Sequence, residues 1–223
     1  MLRRQFMSKK ERIQKEKKIW DEISYRYDKQ NRHLKDAFNK SIEKSKNLIN
    51  EDDKVMEIGC GTGIVTLGVA EKTENIKALD LSEEMIKVAK RKAESVDKNH
   101  IEFMVGDGYN IDCEDESFDA VLMFNLLHII KEPLTQIREA KRVLKKGGKL
   151  ITATDCYSEP VRFGVKWRLI LQNILHKFNF LPYINNFKIE ELKELFIAEG
   201  FKIIEEEVLY EEPVNYYIAL EKL

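Results

Sequence analysis

Apolar residues recur along residues 51–154 with two alternating periods. Short apolar runs typical of buried strands are separated by segments in which apolar residues return every three or four positions, the period of an amphipathic helix. One such helix follows the capping residue Ser82 and carries the apolar stripe Met85, Ala89 and Ala93. Strands that alternate with helices of about 10–15 residues predict a parallel sheet covered on both faces. The predicted strands are 54–58, 76–80, 101–105, 118–124 and 149–154.

The two ends of the chain extend this pattern. Residues 1–50 are polar and helix-prone, and we expect them to form a helical cap. Residues 51–223 then form the main unit, with a helical insertion at 157–187 after the fifth strand. The helix before that strand is predicted to include Leu144 and to stop at Gly147. The predicted fold class is α/β, a doubly wound, mostly parallel seven-stranded sheet in a single domain. Its last elements are a helix at 189–199 and a hairpin-like pair of strands at 201–209 and 214–220.

A glycine-rich turn follows the first predicted strand. The strand ends at Glu57, and Gly59, Gly61 and Gly63 follow at alternate positions, giving the pattern E-x-G-x-G-x-G. The fingerprint for a pyrophosphate, G-x-G-x-x-G, would need a glycine at position 64, where the chain has isoleucine. Glycines let the backbone approach a ligand closely. A carboxylate beside them suits a ligand with a cationic amino group better than one with phosphates.

Three further strand ends carry polar side chains. The second strand ends at Asp80, Gly106-Asp107-Gly108 follows the third, and the fourth ends at Phe124 with Asn125 next. Ligands of open α/β sheets bind outside the carboxyl ends of the strands. Each acid alone fits an ordinary loop or cap residue equally well. Four such strand ends in order along the chain predict one ligand site.

The glycine pattern resembles motif I of the class I S-adenosylmethionine (SAM)-dependent methyltransferases. The resemblance runs from about Trp20 to Leu150 and includes 141–148, which looks like the segment between helix and fifth strand in that family. Residues 23–28 resemble the segment before motif I in ubiquinone- and menaquinone-type small-molecule methyltransferases. The resemblance implies a Rossmann-like fold that binds SAM and releases S-adenosylhomocysteine.

The resemblance also implies roles for individual residues. The glycines would approach the methionine part of SAM, with Glu57 near its amino group and Asn125 beneath it. Asp80 would hold the ribose hydroxyls, and Asp107 would contact the adenine edge. Tyr27 would close over the cofactor. The expected cofactor-binding residues are Tyr27, Glu57, Gly59, Cys60, Gly61, Gly63, Asp80, Leu81, Met85, Gly106, Asp107, Gly108 and Asn125.

The chemistry of methyl transfer makes modest demands on side chains. Transfer from a sulfonium is an in-line displacement, so the acceptor must be aligned and water excluded. An alcohol or ammonium acceptor also needs a base. His128 is the preferred candidate over Asp155 and Tyr157 because imidazole titrates near neutral pH, although a purely structural histidine is the alternative. Tyr27 is a second catalytic candidate, with aromatic packing as its alternative, and no metal site is expected.

Missing motifs narrow the substrate class. Nucleic-acid amino-methyltransferases carry Asn/Asp-Pro-Pro-aromatic after the fourth strand, whereas residues 125–128 read Asn-Leu-Leu-His. The chain also lacks a Pro-Cys nucleophile, and Asp155-Cys156 does not provide the Asp-Asn pair of a catechol-type magnesium site. These absences favour a small, apolar or amphiphilic substrate. The amphipathic insertion at 157–187 is predicted to form a lid over it; a packing helix, a dimer contact or a peripheral membrane contact are the alternatives.

Composition and charge add few constraints. The chain of 223 residues is 43% hydrophobic and 35% charged, with a formal net charge of -1, as expected for a globular protein without a general preference for nucleic acid. Residues 1–18 carry a local balance of +6, and residues 190–223 one of -7. Three scattered cysteines favour neither disulfides nor a zinc site. No signal peptide or membrane span is apparent, so we expect a cytoplasmic location. The expected oligomeric state is a monomer or a homodimer.

Two other functions stay open at this point. A nicotinamide-dependent oxidoreductase uses a similar sheet, although the missing glycine at position 64 argues against it. A non-catalytic SAM-binding module attached to RNA through the basic residues 1–18 is the other alternative.

Overall fold

The protein is described by a computed structural model that covers residues 9–159 and 183–223. Its strands form one seven-stranded sheet in the order β3-β2-β1-β4-β5-β7-β6. Neighbouring strands from β3 to β5 pair in parallel, and β7 is antiparallel to both β5 and β6. The predicted doubly wound, mostly parallel sheet is therefore confirmed. The strands are β1 Val55–Ile58, β2 Ile76–Asp80, β3 Glu102–Val105, β4 Phe118–Phe124, β5 Leu144–Cys156, β6 Phe201–Glu211 and β7 Val214–Lys222.

Helices cover both faces of the sheet. Val55 and Met56 are adjacent on β1 but belong to different cores, since successive side chains of a strand point to opposite faces. The core that contains Val55 packs under the helices at Lys35–Leu48, Ile64–Val69 and Glu83–Ser95, and the core that contains Met56 packs under those at Pro133–Val143 and Ile189–Ala198. The α-helices are α1 Lys9–Ile23, α2 Tyr27–Gln30, α3 Lys35–Leu48, α4 Ile64–Val69, α5 Glu83–Ser95, α6 Pro133–Val143 and α7 Ile189–Ala198, with 3-10 turns at Ser24–Arg26, Arg32–Leu34 and Leu127–Ile129.

The start of β5 differs from the sequence-based expectation. The predicted helix was to include Leu144, but α6 ends at Val143 and Leu144 already pairs with Phe118 on β4. Leu144 is fully buried between the sheet and its helices. A buried apolar residue at this junction fits both the helical and the strand pattern. Its pairing with Phe118 is what assigns Leu144 to the strand. Of the predicted insertion 157–187, residues 160–182 lie outside the described residues.

The N-terminal helices are joined to the edge of the sheet by polar contacts. Asp21 on α1 accepts a hydrogen bond from the Oγ of Ser82 at 2.6 Å, just before α5 begins. Asp28 on α2 accepts one from the Oγ1 of Thr62 in the glycine turn at 2.5 Å and pairs with Lys92 at 2.9 Å. The cap is thus held at the carboxyl ends of the strands. In the part of the chain that the structure describes, no helix is both long and apolar enough to cross a bilayer.

Candidate active site

The turn after β1 bends sharply because its glycines adopt left-handed backbone angles. Gly59 has a φ of 73° and Gly61 one of 53°, a region that side chains with a Cβ rarely occupy. The backbone nitrogens of Gly59 and Cys60 both donate to the carbonyl oxygen of Leu79 on β2, at 2.8 and 3.0 Å. These bonds hold the turn across the carboxyl ends of β1 and β2. A Cβ placed on Gly61 would have as its nearest neighbour the ring of Tyr27, 4.0 Å away.

Gly63 has a different function in the same turn. It precedes α4 with a φ of 76°, and a Cβ there would lie 3.1 Å from the Cβ of Ala89 on α5. The ring of Phe103 would be 3.5 Å away. The third glycine therefore allows α4 and α5 to pack closely, and it does not line the cavity described below.

Asp80 is held at the end of β2 by two backbone groups. Its Oδ2 accepts a hydrogen bond from the nitrogen of Gly61 at 2.8 Å, and its Oδ1 accepts one from the nitrogen of Ser82 at 2.8 Å. Burial raises the pKa of this carboxyl to about 6 despite those donors. A carboxylate oxygen accepts more than one hydrogen bond, so both oxygens can still receive hydroxyl donors.

A cavity of about 790 Å³, open solvent at its mouth included, lies at these strand ends. Three predicted contacts, Glu57, Cys60 and Gly63, do not line it and stay predictions as cofactor contacts. The predicted residues that do line the cavity are Tyr27, Gly59, Gly61, Asp80, Leu81, Met85, Gly106, Asp107, Gly108 and Asn125.

Glu57 lies beneath the glycine turn. It is 2% exposed and accepts a hydrogen bond from the Oγ1 of Thr66. Burial raises the pKa of its carboxyl to about 8, and the nearby Asp80 carboxylate adds to that rise. A cation bound nearby would favour the ionised form of Glu57 and lower this pKa.

The N-terminal helix supplies cavity residues that the sequence analysis missed. Arg12, Glu16 and Trp20 on α1 all line the cavity. Arg12 donates from Nη2 to Oδ2 of Asp107 at 2.8 Å and lies 4.5 Å from the centre of the Tyr109 ring. The three α1 residues are spaced four apart and so share one helix face, a signal that the sequence did contain. Other lining residues that were missed are Ile58, Leu79, Tyr109, Phe124, Leu126, Ile129, Ile130 and Gln136.

A second cavity adjoins the first on the side of α2 and β5. Its volume is about 670 Å³, again with open solvent at its mouth. Trp20, Tyr27, Asn125 and Ile129 line both cavities. A ligand in one therefore lies next to a ligand in the other. The remaining lining residues of the second cavity are Ile23, Gln30, Asn31, Leu34, His128, Asp155 and Tyr157.

His128 and Asp155 form a polar pair in the wall of the second cavity. The Nδ1 of His128 accepts a hydrogen bond from the backbone nitrogen of Asp155 at 3.4 Å, and its Nε2 lies 3.8 Å from the Oδ2 of Asp155. The Oδ2 also accepts a hydrogen bond from the hydroxyl of Tyr157 at 3.0 Å. Burial lowers the pKa of His128, which favours the neutral ring. A ring that accepts at Nδ1 carries its proton on Nε2, so Asp155 is the member of the pair with lone pairs to offer.

Among residues 9–159 and 183–223, no group of three or more His, Cys, Asp or Glu side chains is arranged to hold a metal ion.

Known proteins resemble this chain in sequence and in fold. The family model described as "Methyltransferase domain" matches residues 56–152. The demethylmenaquinone methyltransferase of Geobacillus stearothermophilus is 30% identical over 168 residues, covering 71% of this chain and 68% of the relative. The crystal structure of a SAM-dependent methyltransferase from Methanosarcina mazei matches with a TM-score of 0.63 at 24% identity, covering 79% of this chain and 95% of that one.

The sheet order and the acidic glycine turn define a Rossmann-like fold with its cofactor site at the carboxyl ends of the strands. The chain belongs to the class I SAM-dependent methyltransferases. This membership argues against the nicotinamide alternative. The demethylmenaquinone methyltransferase of Bacillus velezensis is 29% identical over 154 residues, which cover 66% of this chain and 65% of that protein. The chain thus spans slightly less than two thirds of that relative's length.

SAM is the cofactor of this family, and the residues present fit it. The first cavity lies at the carboxyl ends of the strands, where ligands of open α/β sheets bind. Asp80 would offer its carboxylate oxygens to the ribose hydroxyls, and the positive charge of the methionine part would stabilise the ionised form of the buried Glu57 carboxyl. S-adenosylhomocysteine is the corresponding product.

Proposed function

We propose that this protein transfers the methyl group of SAM to a small apolar or amphiphilic molecule that binds in the second cavity. The observation that carries the proposal is the wall shared by the two cavities, to which Tyr27 and Asn125 both contribute. An acceptor there lies next to the methionine end of the cofactor. SAM supplies an electrophilic methyl group on a sulfonium, so alignment and exclusion of water are the main tasks of the protein.

The lining of the second cavity supports an acceptor with an apolar body. Trp20, Ile23, Leu34 and Ile129 provide apolar surface, and Asp155 is the one acidic residue among the lining residues described. No described lining residue carries a permanent positive charge, which disfavours an anionic reacting group. Relatives described as demethylmenaquinone methyltransferases act, by that name, on demethylmenaquinone, which agrees with a small-molecule acceptor.

The polar pair in the cavity wall suggests how a proton leaves the acceptor. Asp155 would accept the proton as the acceptor atom attacks the methyl group. His128 would face the carboxylate with its Nε2 proton, and Tyr157 would donate to the same oxygen. Tyr27 would close the space between cofactor and acceptor and exclude water. This proposal moves the role of base from His128, the residue preferred from sequence, to Asp155.

The division of the chain is part of the proposal. Residues 1–50 would serve as the cap and 51–223 as the SAM-binding unit, acting together as one domain. The contribution of Arg12 and Trp20 to the cofactor cavity supports this, because the cavity is incomplete without α1. The predicted lid at 157–187 stays a proposal, since residues 160–182 lie outside the described residues.

The test is incubation of the protein with methyl-labelled SAM and fractionated cell extract, followed by identification of the labelled product. Asp155→Asn should reduce transfer by about 10²–10⁴-fold, the usual contribution of a general base, and leave SAM affinity within about twofold. Asp112→Asn, at an exposed position away from both cavities, is the matched control. Full activity of Asp155→Asn would remove Asp155 from the chemistry. Absence of any labelled product, together with RNA binding that weakens steeply with salt, would favour the non-catalytic module instead.

A further inference from the structure

We propose that Asn215 on β7 is a positioning residue that links the cofactor cavity to the proton acceptor of the second cavity. The inference rests on the proposed function. Asn215 is 3% exposed and lies opposite Asp155 in the antiparallel pairing of β5 with β7. It lines neither cavity and touches residues that line both.

The side-chain amide of Asn215 bridges two site residues. Its Nδ2 donates to Oδ1 of Asn125 at 2.9 Å and to Oδ1 of Asp155 at 2.7 Å. An amide nitrogen carries two protons, so these two bonds use both of them. An ionised carboxylate only accepts hydrogen bonds, and the amide must therefore present its nitrogen to Asp155. The orientation of Asn215 is thus determined by the charge of its partner.

The first consequence concerns Asn125. This residue follows β4 with a φ of 52°, a left-handed conformation that asparagine tolerates better than most residues. Its amide oxygen is engaged by Asn215, so its NH₂ group is the end left for the cavities it lines. Asn215 therefore sets which end of the Asn125 amide faces the methionine part of the cofactor. That end is a donor, which suits a carboxylate or other acceptor group.

The second consequence concerns Asp155. Its Oδ1 accepts from Asn215, and its Oδ2 accepts from the hydroxyl of Tyr157. Hydrogen bonds to a carboxylate stabilise its ionised form, which is the form able to accept a proton. Asp155 is 8% exposed, so losing the Asn215 donor removes a hydrogen bond that little solvent is present to replace, and the pH dependence of methyl transfer should change.

A pair of variants of equal shape separates these effects from simple packing. Asn215→Val removes both donors, and Asn215→Thr has the same branched shape but keeps one hydroxyl donor. Tyr216→Phe is the control, because it removes another hydrogen bond of β7, to Glu206, that does not involve either cavity. SAM affinity is measured by calorimetry, and the pH dependence of methyl transfer is measured with the acceptor identified from labelled product.

Asn215→Val should bind SAM about 5–10-fold more weakly than the wild type, the scale of one lost hydrogen bond in a buried site. The acidic limb of its pH–rate profile should move upward by about one pH unit. Asn215→Thr should lie between Asn215→Val and the wild type in SAM affinity, in the position of the acidic limb, or in both. Tyr216→Phe should change neither, even where its melting temperature falls.

The inference is overturned if Asn215→Val matches Tyr216→Phe in SAM affinity and in pH profile. If the valine variant does not fold, Asn215→Thr is compared with Tyr216→Phe on the same two scales. If the wild type transfers no methyl group to any acceptor, the proposed function fails by itself. SAM affinity then decides on Asn215 alone: a loss of about fivefold or more supports its positioning role, and an unchanged affinity refutes it.

Discussion

Arg12 on α1 forms an ion pair with Asp107 after β3, with 2.8 Å between Nη2 and Oδ2. Both side chains are largely buried, at 11% and 14% exposure. The same guanidinium lies over the ring of Tyr109 and also pairs with Glu16. Asp107, expected from sequence to contact the adenine edge, is thus held in place by a residue of the cap. The cap contributes directly to the end of the cofactor cavity that Asp107 lines.

The first prediction concerns this ion pair. Arg12→Ala should weaken SAM binding by about 5–20-fold, because Asp107 loses a charged partner and α1 loses its contact at the cavity. Arg138→Ala is the control, since Arg138 lines neither cavity and its partner Glu199 does not either. Calorimetric titration with SAM measures both. Tighter binding by Arg12→Ala would show instead that the guanidinium competes with the adenine for Asp107.

The second prediction concerns the carboxylate expected to hold the ribose. Asp80→Asn keeps an oxygen acceptor but removes the charge, and should weaken SAM binding by about 1.5–3 kcal/mol, the scale for hydrogen bonds to charged groups. Asp112→Asn, at an exposed position, should leave the dissociation constant unchanged. A dissociation constant for Asp80→Asn equal to that of the wild type would exclude Asp80 from the cofactor site.

The third prediction follows from the raised pKa of Glu57. That pKa is about 8 in the folded protein against an ordinary 4.5, so the folded state binds more protons than the unfolded state between these values. The contribution of Glu57 to stability is therefore present in full below about pH 4.5 and declines as pH rises toward 8. Glu57→Gln should flatten this decline in the unfolding free energy, measured by urea denaturation at several pH values.

SAM binding should reverse the shift in the pKa of Glu57, because the cofactor brings positive charge near the carboxyl. At pH 7 the wild type should release a proton on binding, detected by calorimetry in buffers of different ionisation enthalpy. Glu57→Gln should release less, whereas the exposed Glu74→Gln should behave as the wild type. Equal proton release by Glu57→Gln and the wild type would show that another group titrates.

The fourth prediction separates two reasons for glycine at position 63. Gly63 and Gly147 have nearly the same φ, 76° and 75°, but a Cβ at Gly147 would meet nothing within 4 Å. Gly147→Ala should lower the unfolding free energy by about 1–2 kcal/mol, the cost of a left-handed residue. Gly63→Ala should cost about 1–3 kcal/mol more, because its Cβ meets Ala89 at 3.1 Å. If urea denaturation shows the same loss of unfolding free energy for both variants, α5 shifts to accommodate the new Cβ without a measurable energetic penalty.

Local sequence patterns were enough to predict the helices and strands of the sheet and one side of the site. The predicted strands, apart from the start of β5, and the helix after Ser82 agree with the structure within one or two residues, because period and capping are local properties. The glycine turn and Asp80 were found for the same reason, since each follows directly on a strand. The prediction for Leu144 was wrong because a buried leucine is compatible both with the last turn of α6 and with the start of β5.

Which distant residues meet at the site became known from the folded arrangement alone. Arg12 contacts Asp107 across 95 positions of the chain, and Asn215 contacts Asn125 across 90. Such contacts depend on the order of strands in the sheet and on where the cap lies, which no local pattern encodes. The choice between His128 and Asp155 as proton acceptor likewise depends on the hydrogen bond at Nδ1. The residue types at the strand ends identified the candidates for the proton acceptor, and the hydrogen bonds between them favour Asp155 in the proposal.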